Sequence, residues 1–268
     1  MTGPVAGLVS VTFRALPAEA VLDLAVRCGL RTIEWGGDVH VPHGDLGRAA
    51  AVGAHTRSRG LAVASYGSYY RFDDAVGIDA TDAPSLDLVL DTAVALGAPV
   101  VRVWAGRRAS AACPAPDRDR IVQYARQAGD RAAARGLTLA FEYHANTLTD
   151  TAASARVLLD AIDHRQVRSL WQPSHRIDRD ANSRALSDML PWLVGVHLFH
   201  WGPGGFRDRL SLAAGAADVA EWLAVLRSAA PHDRLPVMLE FVRGDDPEQL
   251  RRDAVTLTEL LARDRHAR

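Results

Sequence analysis

LTLAFEYHANTLTDTAASARVLLDAIDHRQVRSLWQ, residues 137–172, decides the fold. It opens on an apolar run, LTLAFEYH (137–144), that reads as a strand. A segment of helical period follows at 149–162, and VRSLWQ (167–172) reads as a second strand. Strand, helix and strand in succession imply parallel pairing. The same alternation extends outward in both directions, with a repeat of roughly 30 residues, the length of one strand–helix unit. Further strands are expected at 5–13, 31–35, 61–67, 99–106, 193–200 and 235–242. Helices are expected at 17–28, 45–59, 84–96, 117–135, 180–190, 216–229, and from Asp246-Pro247 to 263. Pro17 suits a first helical turn, and Gly29, Gly60, Gly97 and Gly136 follow helix ends. Eight such units in 268 residues predict an α/β fold, a single closed (β/α)8 TIM barrel spanning residues 1–268 as one domain. An open doubly wound sheet would use fewer strands, and no G-x-G-x-x-G follows the first one.

Several of these strands end in a polar residue. Glu142 closes LAFE, Gln172 closes LWQ, His197 lies in VGVHLFH and Glu240 closes VMLEF. Ionisable groups at the ends of buried strands are costly unless paired or bound to metal. In a barrel these ends converge on the C-terminal mouth, where barrel enzymes keep their sites. Alternation puts Glu142 on the face opposite Phe141, and Glu240 opposite Phe241. The competing account pairs the two carboxylates with arginines such as Arg102 and Arg243. A lone histidine in an apolar strand is often just a core residue. Beside two inward carboxylates, His197 reads instead as a metal ligand. Gln172 can offer an amide oxygen but no charge. His175, across Pro173, is placed to contact substrate or metal.

Composition removes several function classes. The chain is 48% hydrophobic with a formal net charge of −1, so it has ample core and no electrostatic attraction to nucleic acid. Its N-terminal MTGPVAGLVSVTF lacks the pattern of a signal peptide, and no apolar run approaches membrane-spanning length. The expectation is a cytoplasmic protein without a membrane partner; self-association into a homo-oligomer stays open. All 31 basic residues are arginine, and without lysine neither Schiff-base catalysis nor a P-loop is available. Cys28 and Cys113 form neither a disulfide framework nor a zinc motif.

The order Glu142, Gln172-x-x-His175, His197, Glu240 resembles the xylose-isomerase-like TIM-barrel superfamily, in its sugar phosphate isomerase/epimerase branch. That branch shares its fold with endonuclease-IV-type nucleases. IEWGG after the second strand, RLSLAAGAADVAEWLAVL and LEFVRGDDPEQLRRDA support the resemblance. It implies that Glu142, Gln172, His197 and Glu240 hold one divalent metal ion (Mn2+, Mg2+, Co2+ or Zn2+). It also implies that Glu142 and Glu240 are the catalytic acid/base pair, and that His175 touches substrate. The family pattern has Asp where Gln172 stands, which removes one negative charge from the metal site. The nuclease branch needs extra histidines after the third and fourth strands. SYGSYY and RVWAG supply none.

Other mouth residues are expected to bind substrate. Glu34 and Trp35 end the second strand and Trp104 the fourth, where an aromatic platform suits a sugar ring. Arg207 and Arg209 fit a solvated loop, with an anionic group as the alternative reading; Arg243, three residues after Glu240, is better placed for substrate. The expected activity is a metal-dependent isomerase or epimerase of a small carbohydrate-like polyhydroxy carbonyl compound, by proton abstraction beside the carbonyl. A lyase or dehydratase on the same scaffold, or a metal-free sugar-binding protein, are the alternatives.

Overall fold

The computed structural model describes residues 3–77, 83–228 and 234–262. Eight parallel strands close into a barrel. They are β1 (Val5–Val9), β2 (Thr32–Gly36), β3 (Ala62–Arg71), β4 (Val100–Trp104), β5 (Thr138–Glu142), β6 (Val167–Trp171), β7 (Leu193–Leu198) and β10 (Pro236–Leu239). Each pairs with its sequence neighbour, and β10 closes the ring onto β1. Between β7 and β10 a two-stranded antiparallel ribbon, β8 (His200–Trp201) and β9 (Arg209–Leu210), stands outside the barrel. The helices around the barrel include α1 (Ala18–Arg27), α2 (Leu46–Ser58), α4 (Leu86–Leu96) and α5 (Ala115–Ala133). They continue with α6 (Ala152–Ile162), α7 (Arg179–Met189), α8 (Ala216–Ser228) and α9 (Pro247–Ala262). The short α3 (Phe72–Ala75) follows β3 directly. No helix among the described residues is long and apolar enough to cross a membrane.

Strand alternation sorts side chains between two environments. On β4, Val101 and Val103 join the large cluster between strands and helices, together with Ile33, Trp35, Leu139 and Phe141. The alternate positions face the barrel axis. There Gly7 makes room for Thr32 and Met238; a methyl on it would lie 2.5 Å from Thr32 Cγ2 and 2.9 Å from Met238 Cγ. At the mouth end of the barrel, the inward positions of β2, β5 and β7 carry Glu34, Glu142 and His197, and Glu240 follows β10 by one residue.

Where the strands differ from sequence expectation, local hydrogen bonding explains it. The first strand stops at Val9 rather than running to 13. Ser10 Oγ accepts from the Gly36 backbone N–H at 2.9 Å, which turns residues 10–13 into a 3-10 turn over the mouth. The third strand runs to Arg71, past the expected 67, through an irregularity against β4 that inserts Ser68 and Tyr69 between the paired Gly67 and Tyr70. The last barrel strand ends before Glu240, and Phe241 takes a left-handed φ of 50°. β7 ends at Leu198, and His200 pairs in the antiparallel ribbon.

Close approach of α2 and α4 sets the spacing of the outer layer. A Cβ on Gly53 would lie 2.0 Å from the Leu96 carbonyl oxygen. Gly53→Ala is therefore expected to destabilise the protein by about 1–3 kcal/mol, the usual cost of overpacking. A urea melt indistinguishable from wild type would refute this packing.

Candidate active site

A buried ion network fills the mouth. Arg102, on β4 and 1% exposed, is an arginine inside a valine strand. Its Nε donates to Glu34 Oε1 at 2.8 Å and its Nη1 to Glu142 Oε2 at 2.5 Å. Glu34 is fully buried and also receives Ser65 Oγ at 2.6 Å and His197 Nε2 at 3.2 Å. Trp104 Nε1 donates to Glu142 Oε2 as well. The opposite nitrogen of the imidazole, His197 Nδ1, lies 3.4 Å from Glu240 Oε2 and 3.9 Å from Glu142 Oε1. At those positions it forms charge contacts without hydrogen-bond geometry. Glu34 thus fixes the ring orientation from behind while Nδ1 faces the two carboxylates. A carboxylate behind a histidine is also the arrangement that orients metal-ligating imidazoles.

Electrostatics follow from this geometry. Burial opposes charge on Glu34, yet Arg102 and His197 outweigh it and hold the carboxyl well below the usual range. Glu142 behaves alike: burial raises it, but Arg102, His144 and His197 bring it below its ordinary value. For His197, burial favours the neutral ring, whereas Glu34 and Glu240 favour the imidazolium and push it up to about 10. Arg102, buried between Glu142 and Glu34, is held cationic.

Unpartnered atoms mark where the network is incomplete. Within it His197 Nδ1, Glu240 Oε2 and Arg102 Nη2 are buried without a hydrogen-bond partner; Gln172 Oε1, one residue past β6, is buried without one too. Among the described residues no group of three or more His, Cys, Asp or Glu side chains is arranged to hold a metal ion. Gln172 falls outside that residue set. The three orphaned atoms on Gln172, His197 and Glu240 are an amide oxygen, an imidazole nitrogen and a carboxylate oxygen, donor types that fit a divalent cation.

Around the network, Tyr69 roofs Arg102, with the guanidinium carbon 4.5 Å from its ring centroid. Its left-handed φ of 54° comes from the irregularity in β3. Arg14 donates to the Tyr69 hydroxyl at 2.8 Å and pairs with Asp38. Trp104 stacks on His144 at 4.6 Å, and the Arg71 guanidinium covers Trp104 at 4.4 Å.

The sequence-predicted residues separate into two groups. Glu142, His197, Glu240 and Trp104 meet at the mouth, along with Glu34, whose contacts bind it to Arg102 and His197. Trp35 goes elsewhere: it is buried in the outer layer, and its Nε1 donates to Thr56 on α2 at 3.1 Å. Arg243 is exposed and donates to Gln249 at 3.1 Å, away from Glu240. His175 is exposed and packs against the Gly205 turn. His40 is bonded to Ser10 and Leu16, and His43 to Tyr66. Of the two arginines considered as partners for the carboxylates, Arg102 pairs with Glu142 and Arg243 with neither. Tyr69 and Ser65 were not foreseen.

Arg102→Met would leave Glu34 and Glu142 buried without their cation. A loss of about 3–5 kcal/mol is expected by chemical denaturation, the usual cost of breaking a buried pair from one side. A loss below about 1 kcal/mol, the value of an exposed pair, would contradict the network. Gly67→Ala tests it from another direction, because a Cβ there would lie 2.6 Å from Arg102 Nη2 and 2.8 Å from Glu34 Oε1.

Residues 22–260 match the family described as the xylose isomerase-like TIM barrel. No curated protein matches the chain. Solved structures do. The probable 3-DHS dehydratase AsbF of Bacillus anthracis, involved in petrobactin synthesis, aligns with a TM-score of 0.77 at 16% identity, over 95% of this chain and 98% of that one. A xylose isomerase domain protein of Planctomyces limnophilus gives 0.74 at 16% identity, over 99% and 98%. The D-psicose 3-epimerase of Clostridium cellulolyticum H10, solved with D-tagatose, gives 0.67 at 17% identity, over 95% and 97%. At these identities the likeness is one of fold.

Proposed function

The chain belongs to the xylose isomerase-like TIM-barrel family, and from that premise we propose that it is an isomerase or epimerase of a sugar or sugar-like polyhydroxy carbonyl compound, assisted by one divalent metal ion. The observation that carries this reading is the pair Glu142 and Glu240, 3.9 and 3.4 Å from the same imidazole nitrogen of His197 in the buried mouth. Two carboxylates flanking one point can remove a proton from a carbon placed between them and return it.

The two glutamates are inequivalent. Glu142 Oε2 is engaged by Arg102 and Trp104, and only Oε1 faces the site. Glu240 Oε2 has no hydrogen-bond partner. Glu240 is therefore the free acceptor and takes the proton next to the carbonyl. If Glu240 also returns it to the adjacent carbon, the result is aldose–ketose isomerisation. If Glu142 carries a proton of its own and delivers it to the same carbon from the opposite face, while Glu240 keeps the one it removed, the result is epimerisation. Arg102 holds the Glu142 carboxyl in place, and Glu34 fixes the orientation of the His197 ring. Gln172, His197, Glu142 and Glu240 would hold the metal, which when bound polarises the carbonyl and stabilises charge developing on its oxygen.

Solvent deuterium appearing at the carbon beside the carbonyl, with divalent metal supplied, is the expected result for a suitable ketose. No exchange with any of Mn2+, Mg2+, Co2+ or Zn2+ would contradict the proposal. A product lacking a hydroxyl would move the same first step to a dehydratase. Glu142→Gln and Glu240→Gln should each lower exchange by about 10²–10⁴-fold, the usual contribution of one acid/base group. Gln172→Asp adds a charged donor, so tighter metal binding is expected by calorimetry. Unchanged affinity would place Gln172 outside the ligand set.

A further inference from the structure

A second cavity of about 510 Å³ opens beside the mouth. Its volume lies within the 300–1,000 Å³ typical of small-molecule sites. The cavity lined by Glu240 holds only about 10 Å³. The larger cleft is bounded by the segment after β6 (Pro173, Ser174, His175), the start of α7, and the ribbon residues His200 and Trp201. Two of its walls are the direct continuation of candidate-site strands. Pro173 follows Gln172, and Phe199 lies two residues beyond His197.

We propose that this cleft binds an uncharged, flat ring attached to the reacting sugar through an oxygen away from its carbonyl, so that the enzyme takes a ring-bearing sugar that keeps its carbonyl rather than a bare monosaccharide. The inference rests on the proposed sugar chemistry only for what occupies the mouth.

The walls of the cleft select this chemistry. Phe199 and Trp201 stack with centroids 4.1 Å apart and form an aromatic wall; Trp222 and Ile177 add apolar surface. A sugar or aryl ring presents a matching apolar face. His175 tilts toward Trp201 at 5.5 Å. Among the described residues the rings of His175 and His200 make no hydrogen bond, so both have nitrogens to offer to ring hydroxyls. The charged lining groups do not favour an anion. The Arg179 guanidinium is already shared with Glu221 at 2.9 Å and Asp218 at 4.0 Å. Asp178 caps α7 by accepting from Ala181 N–H, and with Asp218 it adds negative charge. A phosphate would meet more carboxylate than available cation here. In this arrangement His175, expected from sequence to touch substrate, touches its distal ring.

Calorimetry on the full chain tests the idea without turnover. Phenyl β-D-glucopyranoside should bind at least about tenfold more tightly than methyl β-D-glucopyranoside, a difference of about 1.4 kcal/mol. Trp201→Ala should abolish the difference. So should Ile177→Arg, which changes an exposed side chain at the rim and leaves the aromatic packing alone. Glu240→Gln should retain it, which separates this proposal from the proton-abstraction reading. No advantage for the phenyl glycoside, failure of both glycosides to bind, or an advantage that survives both cleft variants would overturn the proposal. Tighter binding of D-glucose 6-phosphate than of the phenyl glycoside would overturn it too, by showing an anion site.

Discussion

The Arg102 guanidinium, shared between Glu34 and Glu142, is the interaction on which the mouth of the barrel depends. Two carboxylates placed in a water-poor barrel would each be driven toward neutrality by desolvation. One fixed cation between them keeps both charged. Through Glu34 the effect passes to His197, whose ring is held with Nδ1 toward Glu240. The mouth is thus organised from the β2–β4 side, while the unpartnered atoms of His197 and Glu240 lie on the β7 and β10 side. Buried ion pairs add little net stability compared with apolar packing, but they are costly to break from one side. Their use here is geometric: they fix where two carboxylates and an imidazole can stand.

Much of this was legible from periodicity. The unit at 137–172 carries the strand–helix–strand pattern plainly, and its repetition leads to eight parallel strands. Alternation places Glu142 and Glu240 inward, because Phe141 and Leu239 have apolar neighbours to join on the other face. Arg102 was visible as well, as a lone cation within VVRVW. Its partner Glu34 was harder to find. Both sit in apolar strands far apart in sequence, and nothing in one strand states which carboxylate lies across the barrel.

The parts that were not legible have local causes. Trp35 alternates with Glu34 and so takes the opposite face, where Thr56 satisfies its indole N–H; the parity rule applied to Glu142 would have excluded it from the mouth. Tyr69 reaches the mouth only because an irregularity adds two residues between Gly67 and Tyr70, and bulges carry no reliable sequence mark. Arg243 follows a left-handed Phe241 that turns the chain out of the barrel, so its distance in sequence from Glu240 misleads. The side cleft depends on how the segment after β6 meets the ribbon after β7. That is a tertiary contact without a sequence pattern.

The claim that one cation holds the mouth together is tested most directly by a double-mutant cycle on Arg102→Met and Glu142→Gln, read by chemical denaturation. The two residues bond directly at 2.5 Å. If the network operates as described, removing the charge from Glu142 should offset part of the loss caused by removing Arg102, with a coupling energy of about 1–3 kcal/mol between them. Additive losses, within about 0.5 kcal/mol, would show that the two side chains act independently and would contradict the account.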